Sequence, residues 1–200
     1  MSDFRVVLAS GSPRRRELLK LVGIEHEVRP SNIDETMRPG ETPRGHAERL
    51  AREKASAVAD ADATTITIAA DTIVVVDGEV LGKPADVGVA ARMLRMLSGR
   101  QHTVLTAVAV SRGSELRSSV EEVVVRFRDL DDGEIQRYIA TGEPMDKAGA
   151  YGIQGFGATI VERVEGDYFA VMGLPLVRLV AILEEVGIRY EFGRLEAAVR

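Results

Sequence analysis

Ile66-Thr67-Ile68-Ala69-Ala70-Asp71-Thr72-Ile73-Val74-Val75-Val76 is an apolar run that no glycine or proline interrupts, and it contains one carboxylate. The run predicts a buried β-strand, and Asp77-Gly78 after it predicts a hairpin turn. A carboxylate without a partner is costly to bury, so we expect a metal, lysine or arginine beside Asp71. The alternative is a structural aspartate bound by nearby backbone N–H groups. Because perturbed carboxylates concentrate at active sites, the functional interpretation is favoured.

Strands and helices alternate on both sides of this run. Further strands are predicted at residues 4–9, 103–111, 116–127, 158–164 and 168–171, and helices at residues 12–22, 45–62, 86–97, 131–139 and 174–187. This order predicts an α/β fold with an elongated mixed sheet flanked by helices. We expect residues 1–200 to form a single domain, with two lobes around a central cleft as an alternative.

Composition excludes several classes of function. The formal net charge of −5 argues against general nucleic-acid binding, which needs a basic surface. The absence of cysteine excludes disulfide scaffolds, Cys-ligated zinc and thiol nucleophiles, and it suits a reducing compartment. No apolar run approaches the ~18 residues of a membrane helix. We therefore expect a cytoplasmic protein that binds neither nucleic acid nor membrane.

The segment from Ser10 to Arg16 lies between the first predicted strand and the first predicted helix. Free N–H groups at a helix N-terminus, two serine hydroxyls and Gly11 can together bind a polyphosphate. Arginines in the first turn oppose the helix dipole unless an anion lies there. The alternative is a capped helix with solvated arginines. Because the segment lacks the P-loop pattern, it does not by itself favour polyphosphate binding over a capped helix.

Four further positions carry polar side chains of interest. Lys83 follows a predicted strand and could contact phosphate, because lysine is rare in this arginine-rich chain. Lys54, by contrast, is predicted to lie on the exposed face of its helix. Glu35 could bind a metal, although alone it is only part of an acidic loop. Gln154, in a glycine-rich segment, could read a base edge with one donor and one acceptor, and a plain glycine-rich turn is the alternative.

Together these segments resemble the Maf family of nucleoside triphosphate pyrophosphatases. The motifs that carry the resemblance are Leu8-Ala9-Ser10-Gly11-Ser12-Pro13-Arg14-Arg15, Ile33-Asp34-Glu35, Ala51-Arg52-Glu53-Lys54-Ala55, Ala70-Asp71-Thr72-Ile73-Val74 with Leu81-Gly82-Lys83-Pro84, and Asp146-Lys147-Ala148-Gly149-Ala150-Tyr151-Gly152-Ile153-Gln154-Gly155. They occur in this order, and the resemblance extends from about Val7 to about Val186.

The resemblance implies an enzyme that hydrolyses a nucleoside triphosphate between its α and β phosphates and releases the monophosphate and pyrophosphate. It implies a divalent cation, Mg²⁺ or Mn²⁺, a homodimer, and a fold similar to that of inosine triphosphate pyrophosphatases. The form of residues 151–155 resembles the branch of the family that acts on dTTP and UTP. Modified pyrimidine triphosphates are further candidate substrates.

When the family motifs are matched to this sequence position by position, the resemblance implies that Asp71 is the proton acceptor. It implies that base choice depends on Arg14, Thr72 and Gln154. The phosphate and metal region would be lined by Ser10, Arg15, Glu35, Lys54 and Lys83. Glu35 and Asp71 would be the metal ligands, and Asp71 could serve as base, ligand or both. The chain departs from the family pattern at Arg16, a third arginine, and at Gly82, where an acid is common.

Two alternative functions stay open at this point. The first is a nucleotide-sensing regulator of septum formation, since members of the family are linked to arrest of that process. The second is a pyrophosphatase of the same fold that acts on 7-methyl-GTP or on other purine triphosphates.

Overall fold

The computed structural model describes residues 4–198. The strands in this part of the chain are β1 (Arg5–Leu8), β2 (Glu27–Val28), β3 (Thr65–Val76), β4 (Glu79–Leu81), β5 (Gln101–Arg112), β6 (Glu115–Phe127), β7 (Val161–Glu165), β8 (Ile188–Tyr190) and β9 (Leu195–Ala197). The α-helices are α1 (Pro13–Leu21), α2 (Pro43–Val58), α3 (Val87–Leu97), α4 (Asp132–Ala140), α5 (Tyr168–Met172) and α6 (Leu176–Glu185). None of these helices is both long enough and apolar enough to cross a bilayer.

The main sheet is mixed, as the alternation of elements predicts. Its strand order is β2-β1-β3-β5-β6-β7, and β4 pairs with β3. Strand β1 runs parallel to both β2 and β3, whereas β4 is antiparallel to β3 and β7 is antiparallel to β6. Leu8 lies opposite Ile68 in the parallel pair. The residues that follow β1 therefore lie near the part of β3 that carries Asp71.

The chain folds into two compact units. Among the described residues, the first comprises residues 4–71, 106–121 and 173–198, and the second comprises residues 72–105 and 122–172. Strands β3, β5 and β6 each begin in one unit and end in the other. The largest fully buried side chains include Leu8, Leu18, Leu19, Leu50, Ile66, Ile68 and Leu179 in the first unit, and Leu94, Leu97, Phe127 and Ile135 in the second.

Local sequence signals explain most helix starts. Asp86 caps α3 by accepting a hydrogen bond from the Val89 N–H at 2.8 Å, and Asp131 caps α4 through the Glu134 N–H at 2.7 Å. Pro13 begins α1 after Ser12, although the Ser12 side chain makes no capping bond.

The predicted strand at residues 168–171 is wrong, because this segment is the helix α5. The Asp167 carboxylate accepts a hydrogen bond from the Phe169 N–H at 2.8 Å, and its carbonyl accepts one from the Ala170 N–H at 3.1 Å. These bonds start a helical turn, which outweighs the strand preference of the aromatic residues.

Candidate functional site

Asp71 is buried within β3 and has a lysine as its partner. Only 6% of its surface is exposed, and its Oδ1 accepts a hydrogen bond from Lys54 Nζ at 2.6 Å. Lys54 comes from α2 and is 8% exposed. The strand pattern predicts a desolvated carboxylate beside a cation, and within the first unit that cation is the Lys54 ammonium.

The prediction that Lys54 lies on an exposed helix face is wrong. The buried face of α2 consists of His46, Ala47, Leu50, Ala51, Lys54 and Ala55. Lys54 follows Leu50 by one helical turn and therefore shares its inward direction. The apolar periodicity of α2 predicts that position 54 faces the interior. The prediction from sequence fails because a charged side chain is normally expected at the surface.

Glu35 brings a second carboxylate to the same ammonium. Its Oε1 lies 2.7 Å from Lys54 Nζ, but its side chain is 58% exposed. One lysine thus holds a buried carboxylate from β3 and an exposed carboxylate from the loop between β2 and α2. The charges of both carboxylates also act on the Arg15 guanidinium, so this part of the first unit combines two acids with two basic side chains.

The loop that carries Glu35 is fastened to α2 by Arg49, a residue that the sequence analysis does not single out. Its guanidinium donates hydrogen bonds to Glu41 at 2.6 and 2.9 Å, to the Thr36 carbonyl at 3.1 Å and to Glu53 at 3.0 Å. The bonds from Arg49 hold the pKa of Glu41 well below its ordinary value. This clamp fixes the backbone directly after Glu35.

Ser10 and Arg15 meet at the N-terminus of α1. Arg15 donates hydrogen bonds to Ser10 Oγ at 3.0 Å and to the Gly173 carbonyl at 2.8 Å. Burial lowers the pKa of the Arg15 guanidinium, and the neighbouring charge of Asp71 opposes this shift. Arg14 is half-buried beside it. Positive charge and helix N–H groups therefore coincide at this end of α1, as phosphate binding requires.

Thr72, Lys83 and Gln154 belong to the second unit and take no part in the contacts above. Thr72 is half-buried in β3, whereas Lys83 and Gln154 are exposed. Neither the Lys83 ammonium nor the Gln154 amide has a hydrogen-bond partner among residues 4–198. Both groups are therefore available to a ligand, but their proposed roles rest on the family pattern.

His102 is a packing residue of the second unit. It is 4% exposed, and its ring lies edge-on to Phe127 and Tyr151 at centroid distances of 4.9 and 5.3 Å. Its Nε2 is 2.8 Å from the Tyr151 hydroxyl, while its Nδ1 has no hydrogen-bond partner in the described chain. Burial lowers the pKa of His102 to about 4, so the ring is neutral at physiological pH.

The carboxylates fit a metal that arrives with its substrate better than a metal enclosed by protein alone. Within residues 4–198, no three His, Asp or Glu side chains are grouped closely enough to enclose an ion. Mg²⁺ commonly keeps several waters and binds one or two carboxylates together with substrate phosphates. Glu35 and Asp71, which meet at one ammonium, supply that number of ligands.

A family model described as "Maf-like protein" matches residues 5–186. The chain is 50% identical to a "dTTP/UTP pyrophosphatase" of Hahella chejuensis over 188 residues, which cover 92% of this chain and 94% of that protein. It is 53% identical over 183 residues to a protein of the same name from Symbiobacterium thermophilum, with the same two coverages. The protein of the same name from Aquifex aeolicus is 47% identical over 184 residues, which cover 92% of this chain and 96% of that protein.

Two solved structures share the fold. The Ham1 protein of Staphylococcus aureus matches with a TM-score of 0.50 and 16% identity, covering 90% of this chain and 98% of that chain. The HAM1 protein of Coxiella burnetii matches with a TM-score of 0.52 and 18% identity, covering 91% and 99%. The predicted α/β fold, with a mixed sheet flanked by helices, is thereby confirmed, and these Ham1 structures share it.

Proposed function

This chain belongs to the Maf family, and from that membership we propose that it hydrolyses dTTP and UTP to the nucleoside monophosphate and pyrophosphate. Relatives that match more than nine tenths of the chain carry this activity in their names. The observation in the structure that supports it most directly is the buried Asp71 carboxylate held by Lys54 at 2.6 Å. The enzyme is therefore a hydrolase that acts on an acid anhydride.

Asp71 is the proposed proton acceptor for the attacking water. Its Oδ1 is bound to the Lys54 ammonium, which fixes the orientation of the carboxylate and compensates its charge in the interior. A general base must be held within hydrogen-bond reach of the proton that it accepts, and β3 provides a rigid support for that purpose.

Basic side chains are proposed to neutralise the departing pyrophosphate. Arg15, anchored by Ser10 and the Gly173 carbonyl, presents a fixed guanidinium at the start of α1. Arg14 and the exposed Lys83 would supply further positive charge. Loss of one such contact typically costs about 3 kcal/mol at the transition state. Base choice would depend on Arg14, Thr72 and Gln154.

The proposed cofactor is Mg²⁺ or Mn²⁺, held by Glu35 and Asp71. When bound, such an ion lowers the pKa of a coordinated water and shields phosphate charge. Lys54, which bridges the two carboxylates, keeps them adjacent before the nucleotide arrives. A homodimer, which the family resemblance implies, and a cytoplasmic location, which the cysteine-free composition suits, complete the proposal. Analytical ultracentrifugation tests the dimer.

A panel of triphosphates tests the function as a whole. The purified protein is given dTTP, UTP, CTP, GTP and 7-methyl-GTP with Mg²⁺, Mn²⁺ or EDTA, and monophosphate and pyrophosphate are quantified separately. We expect equal amounts of the two products, highest kcat/KM for dTTP and UTP, and loss of activity with EDTA. Release of orthophosphate, or a preference for purines, would contradict the proposal. The names of the relatives do not favour the sensor or the purine alternative.

A further inference from the structure

A second carboxylate, Glu143, organises the glycine-rich segment of the second unit. Its Oε1 accepts hydrogen bonds from the Tyr138 hydroxyl at 2.8 Å and the Gly157 N–H at 2.9 Å. Its Oε2 accepts one from the Phe156 N–H at 2.8 Å. The Tyr138 oxygen in turn accepts a hydrogen bond from the Gly152 N–H at 3.1 Å. Two side chains thus bind the backbone on both sides of Gln154.

The glycines of this segment allow it to close around the two side chains. Gly155 has a φ of +68°, and a Cβ there would collide with the Glu143 carboxylate. A Cβ at Gly157 would collide with the Gly152 carbonyl and would lie 2.6 Å from the Tyr138 oxygen. The glycines at positions 155 and 157 therefore let the segment pack directly against Glu143 and Tyr138, which a plain glycine-rich turn would not require.

Glu143 can accept all three hydrogen bonds because it is ionised. Partial burial acts to raise its pKa, but the bonds from Gly157, Tyr138 and Phe156 outweigh burial and hold the pKa below its ordinary value. Tyr138 stays protonated, because burial raises the pKa of its hydroxyl. The donor and acceptor roles are consequently fixed at neutral pH.

Gln154 depends on this backbone for its position. Its side-chain amide has no partner among the described residues, so nothing except the main chain aims it. We infer that Glu143 and Tyr138 are positioning residues for base selection: they hold the backbone on either side of Gln154 so that its amide meets the pyrimidine edge. This inference rests on the proposed function and deepens it.

The test compares Tyr138→Phe and Glu143→Gln with the unaltered enzyme. Each variant loses hydrogen bonds to the segment at nearly constant side-chain volume. We expect the ratio of kcat/KM for UTP to kcat/KM for GTP to fall about tenfold, mainly through a higher KM for UTP. Gln154→Ala should reduce the same ratio, and adding Tyr138→Phe to Gln154→Ala should reduce it no further, because both act through one amide.

Matched controls lie in the same unit. Tyr168→Phe removes a hydroxyl for which the described chain offers no partner, and Glu162→Gln alters only an exposed ion pair with Arg126. Both should retain the UTP-to-GTP ratio. If Glu143→Gln fails to fold, as circular dichroism would reveal, Tyr138→Phe decides alone.

The outcomes separate this inference from the proposed function. Suppose that the unaltered enzyme prefers UTP, but that the variants lose activity equally for UTP and GTP, or lose only thermal stability. This result overturns the positioning role and leaves the proposed function intact. Additive effects of Gln154→Ala and Tyr138→Phe on the ratio also overturn it. An unaltered enzyme that releases no pyrophosphate from any pyrimidine triphosphate overturns both.

Discussion

Asp71 and Glu143 are both carboxylates withdrawn from water, but the protein satisfies them in different ways. Asp71 is bound by the ammonium of Lys54, a charged group on a flexible stem. Glu143 is bound by two backbone N–H groups and a phenol, all neutral and fixed. A side-chain partner can turn toward a ligand, whereas backbone donors cannot move without unfolding the segment. The first arrangement suits chemistry, and the second suits the shaping of a binding surface.

The largest expected effect tests the chemical side of this comparison. Asp71→Asn keeps the shape of the side chain but removes the proposed proton acceptor, so turnover should fall about 10³-fold. Pyrophosphate release measures the effect, and circular dichroism reports on the fold. Asp62→Asn, at an exposed turn, serves as the control and should remain active. Near-normal turnover by Asp71→Asn would remove the basis for treating this carboxylate as reactive.

Removing the Lys54 partner of Asp71 should lower the stability of the protein as well as its activity. Lys54→Met leaves Asp71 buried without its ammonium, so the free energy of unfolding should fall by about 3 kcal/mol. Combining Lys54→Met with Asp71→Asn should recover part of that loss while activity stays low. Urea unfolding of the single and double variants measures the coupling. Strictly additive losses would show that the two side chains do not depend on each other.

The second unit should respond to acid through His102. The pKa of His102 is about 4 in the folded protein, whereas its ordinary value is 6.5. As the pH falls, the unfolded chain therefore takes up a proton at this residue before the folded protein does. Stability is therefore lost as pH falls, by about 1.5 kcal/mol between pH 6.5 and pH 5. His102→Gln should flatten this part of the profile. Equal slopes for the variant and the unaltered protein would exclude His102 as the cause.

The smallest expected effect concerns the clamp behind Glu35. Arg49→Lys keeps the charge but cannot span Glu41, Glu53 and the Thr36 carbonyl together. We expect the Mg²⁺ concentration for half-maximal activity to rise about fivefold, and limited proteolysis of residues 29–42 to accelerate. Arg52→Lys, whose guanidinium donates to Ser118, is the control. Unchanged metal dependence and proteolysis would show that the loop holds Glu35 without Arg49.

Local patterns predicted the elements that follow a single strong rule. The apolar run of β3 and the helices that start near Asp86 and Asp131 are encoded within a few residues, and the structure contains all three. Lys54 was misplaced because a charge suggests solvent, although its helical spacing matches the buried Leu50.

Glu143 could not have been found by the same means. Its partners Phe156 and Gly157 follow it by thirteen and fourteen residues in the chain. The only sequence signal is the density of glycines, which shows that something approaches the backbone closely without identifying it. The meeting of Glu35 with Asp71 at one ammonium likewise depends on contacts between distant segments.

The interleaving of the two units has a consequence for synthesis on the ribosome. Every residue of the second unit has been translated once Met172 is added, whereas the first unit still lacks its last segment. Arg15 is made early, yet the carbonyl that receives its Nε belongs to Gly173. The hydrogen bond between them cannot form until Gly173 has been translated, so the N-terminal end of α1 is among the last parts of the first unit to be completed.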